Sequence, residues 1–293
     1  MILFRTSRLR SYIVTNHRPE DNAAHQAEGW RGFDTTVPSP ARMWNYWVGG
    51  EDHFAADRVA AEQILAAMPL LPLIAQSVRR VLLQVVSTLT VDHGIRQFLD
   101  IGTGLPTADN THEVAQRTAP ESRIVYADND QAVLAHARAL LTSTTEGKTD
   151  YIQADLRDTD TILKEAARTL DFSQPVAVLL MAVLHFIPDA DDPYAIVQRL
   201  MKAVPAGSSL VICHAATDIQ PDEVAEMTRR YNASGAAPMR PRSYAEIAPF
   251  FGGLELIGPG VVPIAEWLGD GENDGASPLA GYVGVARKPD PRS

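Results

Sequence analysis

Asp100-Ile101-Gly102-Thr103-Gly104, Asp128 and Asp155 each sit at the end of a short apolar run, and together they could hold a nucleoside-bearing ligand. Glycines just after such a run let the chain turn sharply and bring backbone N–H groups against a ligand. Asp128 ends Ile124-Val125-Tyr126-Ala127, 24 residues after Gly104, where a carboxylate can accept both hydroxyls of a ribose. Asp155 ends Tyr151-Ile152-Gln153-Ala154; its carboxylate could accept from an adenine amine, or it could be a loop acid with no such role. Met181-Ala182-Val183-Leu184-His185 follows the most apolar run, and its backbone and His185 would border the same ligand.

The residues after the second glycine discriminate between nucleotides. A dinucleotide site prefers a third small residue in Gly-x-Gly-x-x-Gly, where helix and strand pack closely. Here Pro106 removes an N–H donor and Thr107 replaces the third glycine, which compromises a pyrophosphate cradle. A zwitterionic methionine end asks less of the turn, so S-adenosylmethionine is favoured over NAD, and an NAD-dependent oxidoreductase is the lesser alternative. Methyl transfer from a sulfonium is an in-line displacement that needs positioning and dryness, with a base only where the acceptor loses a proton. His185 is the first candidate for that base or for orienting the acceptor, because an unperturbed imidazole titrates near neutral pH. The alternative is a structural histidine at a helix start. His53 and Asp52 are weaker candidates.

Such a site needs a scaffold that gathers strand ends. Strand patterns at Gln97–Ile101, Arg123–Ala127, Tyr151–Ala154, Val176–Met181 and Ser209–Cys213 alternate with helical patterns. Helix starts are marked by Asn110 with Glu113, by Asp130, by Asp192-Pro193 and by Ser243 with Glu246. Leu254–Ile257 and Gly281–Arg287 read as a closing antiparallel pair. This order predicts an α/β, Rossmann-like fold with a mostly parallel, seven-stranded sheet and helices on both faces. Residues 38–92 form an N-terminal helical extension, 93–293 the ligand-binding domain, and 1–37 a poorly ordered tail. Trp44, Tyr46, Trp47 and Phe54 crowd around Gly49-Gly50 in that extension, either shaping an acceptor pocket or packing as core.

Composition narrows the function further. The 26 basic and 36 acidic residues give a formal charge of −10, which argues against nucleic acid or an anionic membrane as partner. One cysteine, Cys213, rules out an intramolecular disulfide and fits a reducing, cytoplasmic setting. No apolar run approaches the roughly 18–20 residues that span a bilayer. His112-Glu113-Val114-Ala115-Gln116 lacks the second histidine of a zinc site. The acidic loop from Asp270 has Gly281 where calcium would need a bidentate glutamate, so no metal is expected.

The segments ARMWNYWVGGEDHFAADR, IRQFLDIGTGLPTADNTHEVAQ, IVYADNDQAVLAHARALL, ADLRDTDTIL, AVLHFIPD and LELIGPGVVP run in order from residue 41 to 263. With them the chain resembles the class I S-adenosylmethionine-dependent methyltransferases. Within these it is similar to an actinobacterial S-adenosyl methyltransferase family first catalogued as a domain of unknown function. The resemblance implies that Gly102 and Gly104 hold the methionine portion, with Asp100 near its amino group. Asp128 would take the ribose hydroxyls, Asn129 would flank the adenine, and Asp155 with Leu156 would meet its ring. Met181 and Ala182 would line the methionine side, and Tyr46, Gly49 and Asp52 would close over the cofactor as a lid. Val78-Arg79 stands where the family tends to carry Asn-Arg, so no site residue is assigned on that helix. The expected activity is methyl transfer to a small-molecule acceptor; the alternative is a non-catalytic S-adenosylmethionine-binding regulator.

Overall fold

A computed structural model describes residues 34–140, 142–269 and 279–290. Most of the expected disordered tail, residues 1–33, and the acidic loop 270–278 lie outside the described residues.

Three helices precede the sheet: α1 (Pro40–Trp47), α2 (Ala55–Leu65) and α3 (Leu71–Val91). Pro40 opens α1 at the first helical position, where its missing N–H costs nothing. Asp57, fully buried on α2, organises the whole preface. Its Oδ1 accepts from the Ser39 N–H at 2.9 Å, and its Oδ2 accepts from the Phe54 N–H at 2.8 Å and from Arg42 Nε at 2.8 Å. Removing one partner of a buried charge pair strands the other, at a cost of about 3–5 kcal/mol. Asp57→Ala is therefore expected to loosen α1, and limited proteolysis should cut near residue 40 well before it cuts wild type.

The expected alternation follows: β1 (Gln97–Ile101), α4 (Thr111–Thr118), β2 (Arg123–Asp128), α5 (Gln131–Leu140), β3 (Lys148–Gln153), α6 (Thr159–Ala166), β4 (Ala177–Met181), α7 (Pro193–Ala203) and β5 (Ser209–Ala215). The chain then makes α8 (Pro221–Ala233), α9 (Tyr244–Ile247), β6 (Glu255–Leu256), β7 (Val262–Pro263), α10 (Ile264–Leu268) and β8 (Gly281–Arg287). The strand order is β3-β2-β1-β4-β5-β8-β6, with the first five parallel and β8 antiparallel to β5. The sheet counts eight strands rather than the expected seven. β6 and β7 both pair with the outer side of β8, so one edge position is occupied by two short pieces separated by Gly258-Pro259-Gly260.

β1 and β4 are buried at every position, as central strands covered on both faces should be. β3 starts at Lys148, three residues before the expected Tyr151. It is the other edge of the sheet, and Lys148-Thr149-Asp150 carry no hydrophobic signal. α9 ends at Ile247 and tightens into a 3₁₀ turn because Pro249 has no N–H to continue the ladder. One face of the sheet is covered by α1–α4 and α8, the other by α6 and α7. Residues from Asp34 onward cluster as one compact unit, with no break near residue 92. Among the described residues no helix is long and apolar enough to cross a membrane.

Candidate functional site

β1 lies between β2 and β4, so the connections leaving its neighbours diverge and open a crevice at the carboxyl ends of the strands. A cleft of about 210 Å³ occupies that position. Asp100, Gly102, Gly104, Asp128, Asn129, Asp155, Leu156, Met181 and Ala182 all line it, so nine of the residues singled out by sequence come together.

The glycines are used for different reasons. Gly102 has φ of 73° and donates its N–H to the Ala127 carbonyl at 2.8 Å; a Cβ there would lie 2.4 Å from Val183 Cγ2. Gly104 has φ of 67° and nothing within 4 Å of where a Cβ would be, so the space beside it is open. Its N–H donates to Asp128 Oδ2 at 3.0 Å, while Oδ1 accepts from the Asp130 N–H at 2.9 Å. One backbone donor thus fixes each carboxylate oxygen, and each keeps acceptor capacity for a second partner. Burial pushes the Asp128 carboxyl up to about 6, against the pull of those two N–H groups.

Asp100 is also buried and is likewise pushed up to about 6, moderated by the Thr111 hydroxyl, which donates to Oδ2 at 2.7 Å, and by the charge of Arg79. Arg79 and its neighbours Val78 and Leu82 line the cleft, so α3 belongs to the site although the sequence reading assigned no residue there. Arg79 donates to the Ala108 and Asp109 carbonyls, both at 3.0 Å, which fixes it beside the loop after Gly104. The available signal was a basic residue embedded in an otherwise apolar helical stripe.

At the far end, Arg157 forks onto Asp155, Nε to Oδ1 at 2.7 Å and Nη2 to Oδ2 at 2.8 Å. Asn129 Nδ2 donates to the same Oδ2 at 3.2 Å. The guanidinium holds the Asp155 carboxyl down at about 2. Any adenine amine would share this carboxylate with Arg157, a partner two residues away that the sequence reading passed over.

Tyr46, Gly49 and Asp52 do not line the cleft. Tyr46 donates to Glu62 Oε1 at 3.2 Å, Gly49 turns the chain after α1 with φ of 86°, and Asp52 Oδ1 lies 3.6 Å from His136 Nε2. Ser39, Pro40, Ala41 and Trp44 of the same motif reach the cleft instead. Ala41 and Trp44 are three apart and share a helix face, whereas Tyr46 lies roughly 200° further round. Ser39 Oγ donates to Asp130 Oδ2 at 2.8 Å, tying the start of α1 to the loop that carries Asp128.

His185 is absent from the cleft as well. It lines an adjoining apolar chamber of about 60 Å³ that shares Pro40, Trp44, Val78, Ala182 and Phe186 with the cleft. Burial, and then the neighbouring His214 and Arg242, lower its imidazole well below the ordinary value, so it is neutral and weakly basic at physiological pH.

A family model described as S-adenosyl methyltransferase matches residues 26–289. A solved structure of a DUF574 family protein from Streptomyces avermitilis MA-4680 is 43% identical, with a TM-score of 0.84, covering 87% of this chain and 99% of that one. A second, from Thermobifida fusca YX and described as a methyltransferase candidate, is 36% identical with a TM-score of 0.81, covering 88% and 98%. No curated protein matches the sequence. A strand-end cleft with its glycine turn and buried carboxylates, a match over most of the length and two relatives of the same fold have one reading: the chain belongs to the S-adenosyl methyltransferase family, whose cofactor is S-adenosylmethionine.

Proposed function

We propose that the cleft binds S-adenosylmethionine across the ends of β1 to β4 and that the chain passes its methyl group to a small-molecule acceptor. The observation that carries this reading is Asp128, buried at the end of β2 with each oxygen held by one N–H and free to accept another bond. Two vicinal ribose hydroxyls match that capacity. The open space beside Gly104 lets backbone approach the methionine portion, and Asp100 with Arg79 presents opposite charges to its amino and carboxylate groups. When bound, the cofactor supplies an activated methyl on a sulfonium. The residues of the site bind, orient and exclude water, with Pro40 and Trp44 forming the apolar wall on the α1 side.

Calorimetric titration with S-adenosylhomocysteine is the direct test; a wild-type protein that does not bind it would remove the reading. The pH dependence is a sharper version. Ribose hydroxyls donate to the ionised carboxylate, so affinity should be constant above pH 7 and fall as pH drops through about 6, where Asp128 takes up a proton. A flat profile from pH 5 to 8 would take Asp128 out of the ribose site. Transfer of labelled methyl to a metabolite extract separates an enzyme from a protein that only binds the cofactor.

A further inference from the structure

The chamber beside the cleft has polar capacity that the protein leaves unused. No Asp, Glu, Lys or Arg lines it; its walls are chiefly apolar and include Met68, Met227, Met239, Trp47 and Phe186. Two polar side chains in this lining are buried without a partner: Nδ1 of His185 and the hydroxyl of Tyr231 have no hydrogen bond. His185 is 5% exposed and Tyr231 2%. Native proteins pair nearly all such groups, so an unpaired imidazole and an unpaired phenol in one small chamber call for a ligand. The third polar ring, His214, is already satisfied: it pairs with the Ala215 carbonyl through Nδ1 at 2.8 Å and with Arg242 Nη1 through Nε2 at 3.1 Å.

We propose that this chamber receives the methyl acceptor, and that the acceptor is an uncharged, chiefly apolar aromatic ring carrying a hydroxyl that hydrogen-bonds His185. The proposal rests on the reading of the adjoining cleft as the cofactor site, because the two adjoin and have Ala182, Phe186 and Trp44 in common among their lining residues. A carboxylate or ammonium would be stripped of water with no counter-charge in the lining, and the Arg242 guanidinium behind His214 is already paired with Asp189, which selects a neutral ligand. Thioethers pack favourably against ring edges, and three methionines among aromatic walls select a ring. Their flexibility also bears on size. An engineered cavity of ~150 Å³ accepts benzene, so a chamber of about 60 Å³ admits a single ring only as its methionines shift. In the transfer, the acceptor oxygen forms the new O–C bond as the S–C bond breaks with its pair on sulfur. The sulfonium becomes a neutral thioether and the hydroxyl proton is released to bulk water, with the neutral His185 imidazole orienting the oxygen as a hydrogen-bond acceptor rather than keeping its proton.

The test is calorimetric titration of 4-methylphenol, toluene and 4-methylbenzoate into the protein, free and saturated with S-adenosylhomocysteine. The phenol should bind at least about tenfold tighter than toluene, and the benzoate should not bind. In His185→Phe the phenol's advantage over toluene should vanish, with S-adenosylhomocysteine affinity unchanged. A merely structural His185 would move the melting temperature and leave that ratio alone. Tyr231→Phe removes a hydroxyl that bonds nothing, so it should be at least as heat-stable as wild type while binding the phenol more weakly; it carries the comparison if His185→Phe does not fold. Absent phenol binding, equal binding of toluene, or binding of the benzoate would overturn the proposal. Phenol binding that depends on His185 in a protein blind to S-adenosylhomocysteine would uphold the chamber and sink the cofactor reading instead.

Discussion

Asp128→Ala is expected to weaken S-adenosylhomocysteine binding by at least about 100-fold while leaving the fold standing. Hydrogen bonds to a charged acceptor contribute about 1.5–3 kcal/mol each, so the loss of two removes about 3 kcal/mol or more, and each ~1.4 kcal/mol is tenfold in affinity. The fold should survive because the ionised carboxylate is itself a burden on it. Its folded-state value of about 6 stands above the ordinary 3.8, so the folded chain holds the extra proton between those values. Stability from this group is therefore lost as pH rises from about 4 to 6 and is at its lowest at neutral pH. Alanine removes that penalty but leaves the Gly104 and Asp130 N–H groups without their acceptor, and the two effects oppose each other. Calorimetry and a melting curve on the same sample decide the matter. An affinity within tenfold of wild type would mean that the ribose is held elsewhere.

The largest effect on stability is expected at Arg242. Its side chain is completely buried, and it binds the Leu184 carbonyl at 3.1 Å, the Ile187 carbonyl at 2.8 Å and His214 Nε2 at 3.1 Å. Asp189 Oδ1, at 2.7 Å, supplies the counter-charge from a more exposed position. The guanidinium therefore stitches the segment after β4 to the end of β5. Arg242→Ala should cost about 3–5 kcal/mol, through a stranded Ile187 carbonyl, an unpaired histidine nitrogen and an Asp189 carboxylate that loses its buried counter-charge. At ~2–4 °C per kcal/mol for a domain of this size, the melting temperature should drop by roughly 10 °C. Lysine should rescue little, because one ammonium cannot reproduce the planar fork. A drop of less than 2 °C would show that the segment 184–189 is held by its packing alone.

The sequence was most legible where local chemistry decides structure. β1 occupies the expected Gln97–Ile101, because the apolar Phe98, Leu99 and Ile101 end at a glycine that must turn. Asn110 and Glu113 close the expected capping box, with the Asn110 N–H donating to Glu113 at 2.6 Å, and Asp192 accepts from the Ala195 N–H at 3.0 Å ahead of Pro193. The strand-end carboxylates were readable for the same reason: a parallel strand delivers its last residue to a common edge. What escaped is long-range. Arg79 meets Asp109 across 30 positions and Ser39 meets Asp130 across 91, and no spacing rule connects such pairs. Arg242 stands between Pro241 and Ser243 in what reads as a polar loop, and only the return of that loop against β5 makes it core. The N-terminal motif shows a third limit. Its residues were associated with the site, yet the helix turns a different face to the cleft than the one expected.

The two-piece edge of the sheet bears on how the protein behaves at high concentration. An unbroken outer strand offers a row of free N–H and C=O groups on which another chain can grow. Here β6 and β7 are two residues each, the five residues between them include Gly258-Pro259-Gly260, and β7 itself ends in Pro263. An incoming strand would find no register longer than two residues, and at two positions it would find no donor. Leu256, half-exposed on this edge, would otherwise invite such growth, and Glu255 beside it adds charge repulsion. Among the described residues this side of the sheet is therefore a dead end for intermolecular β-pairing. Rejoining it, by replacing Gly258-Pro259-Gly260 with a β-branched run, would trade solubility for a longer ladder.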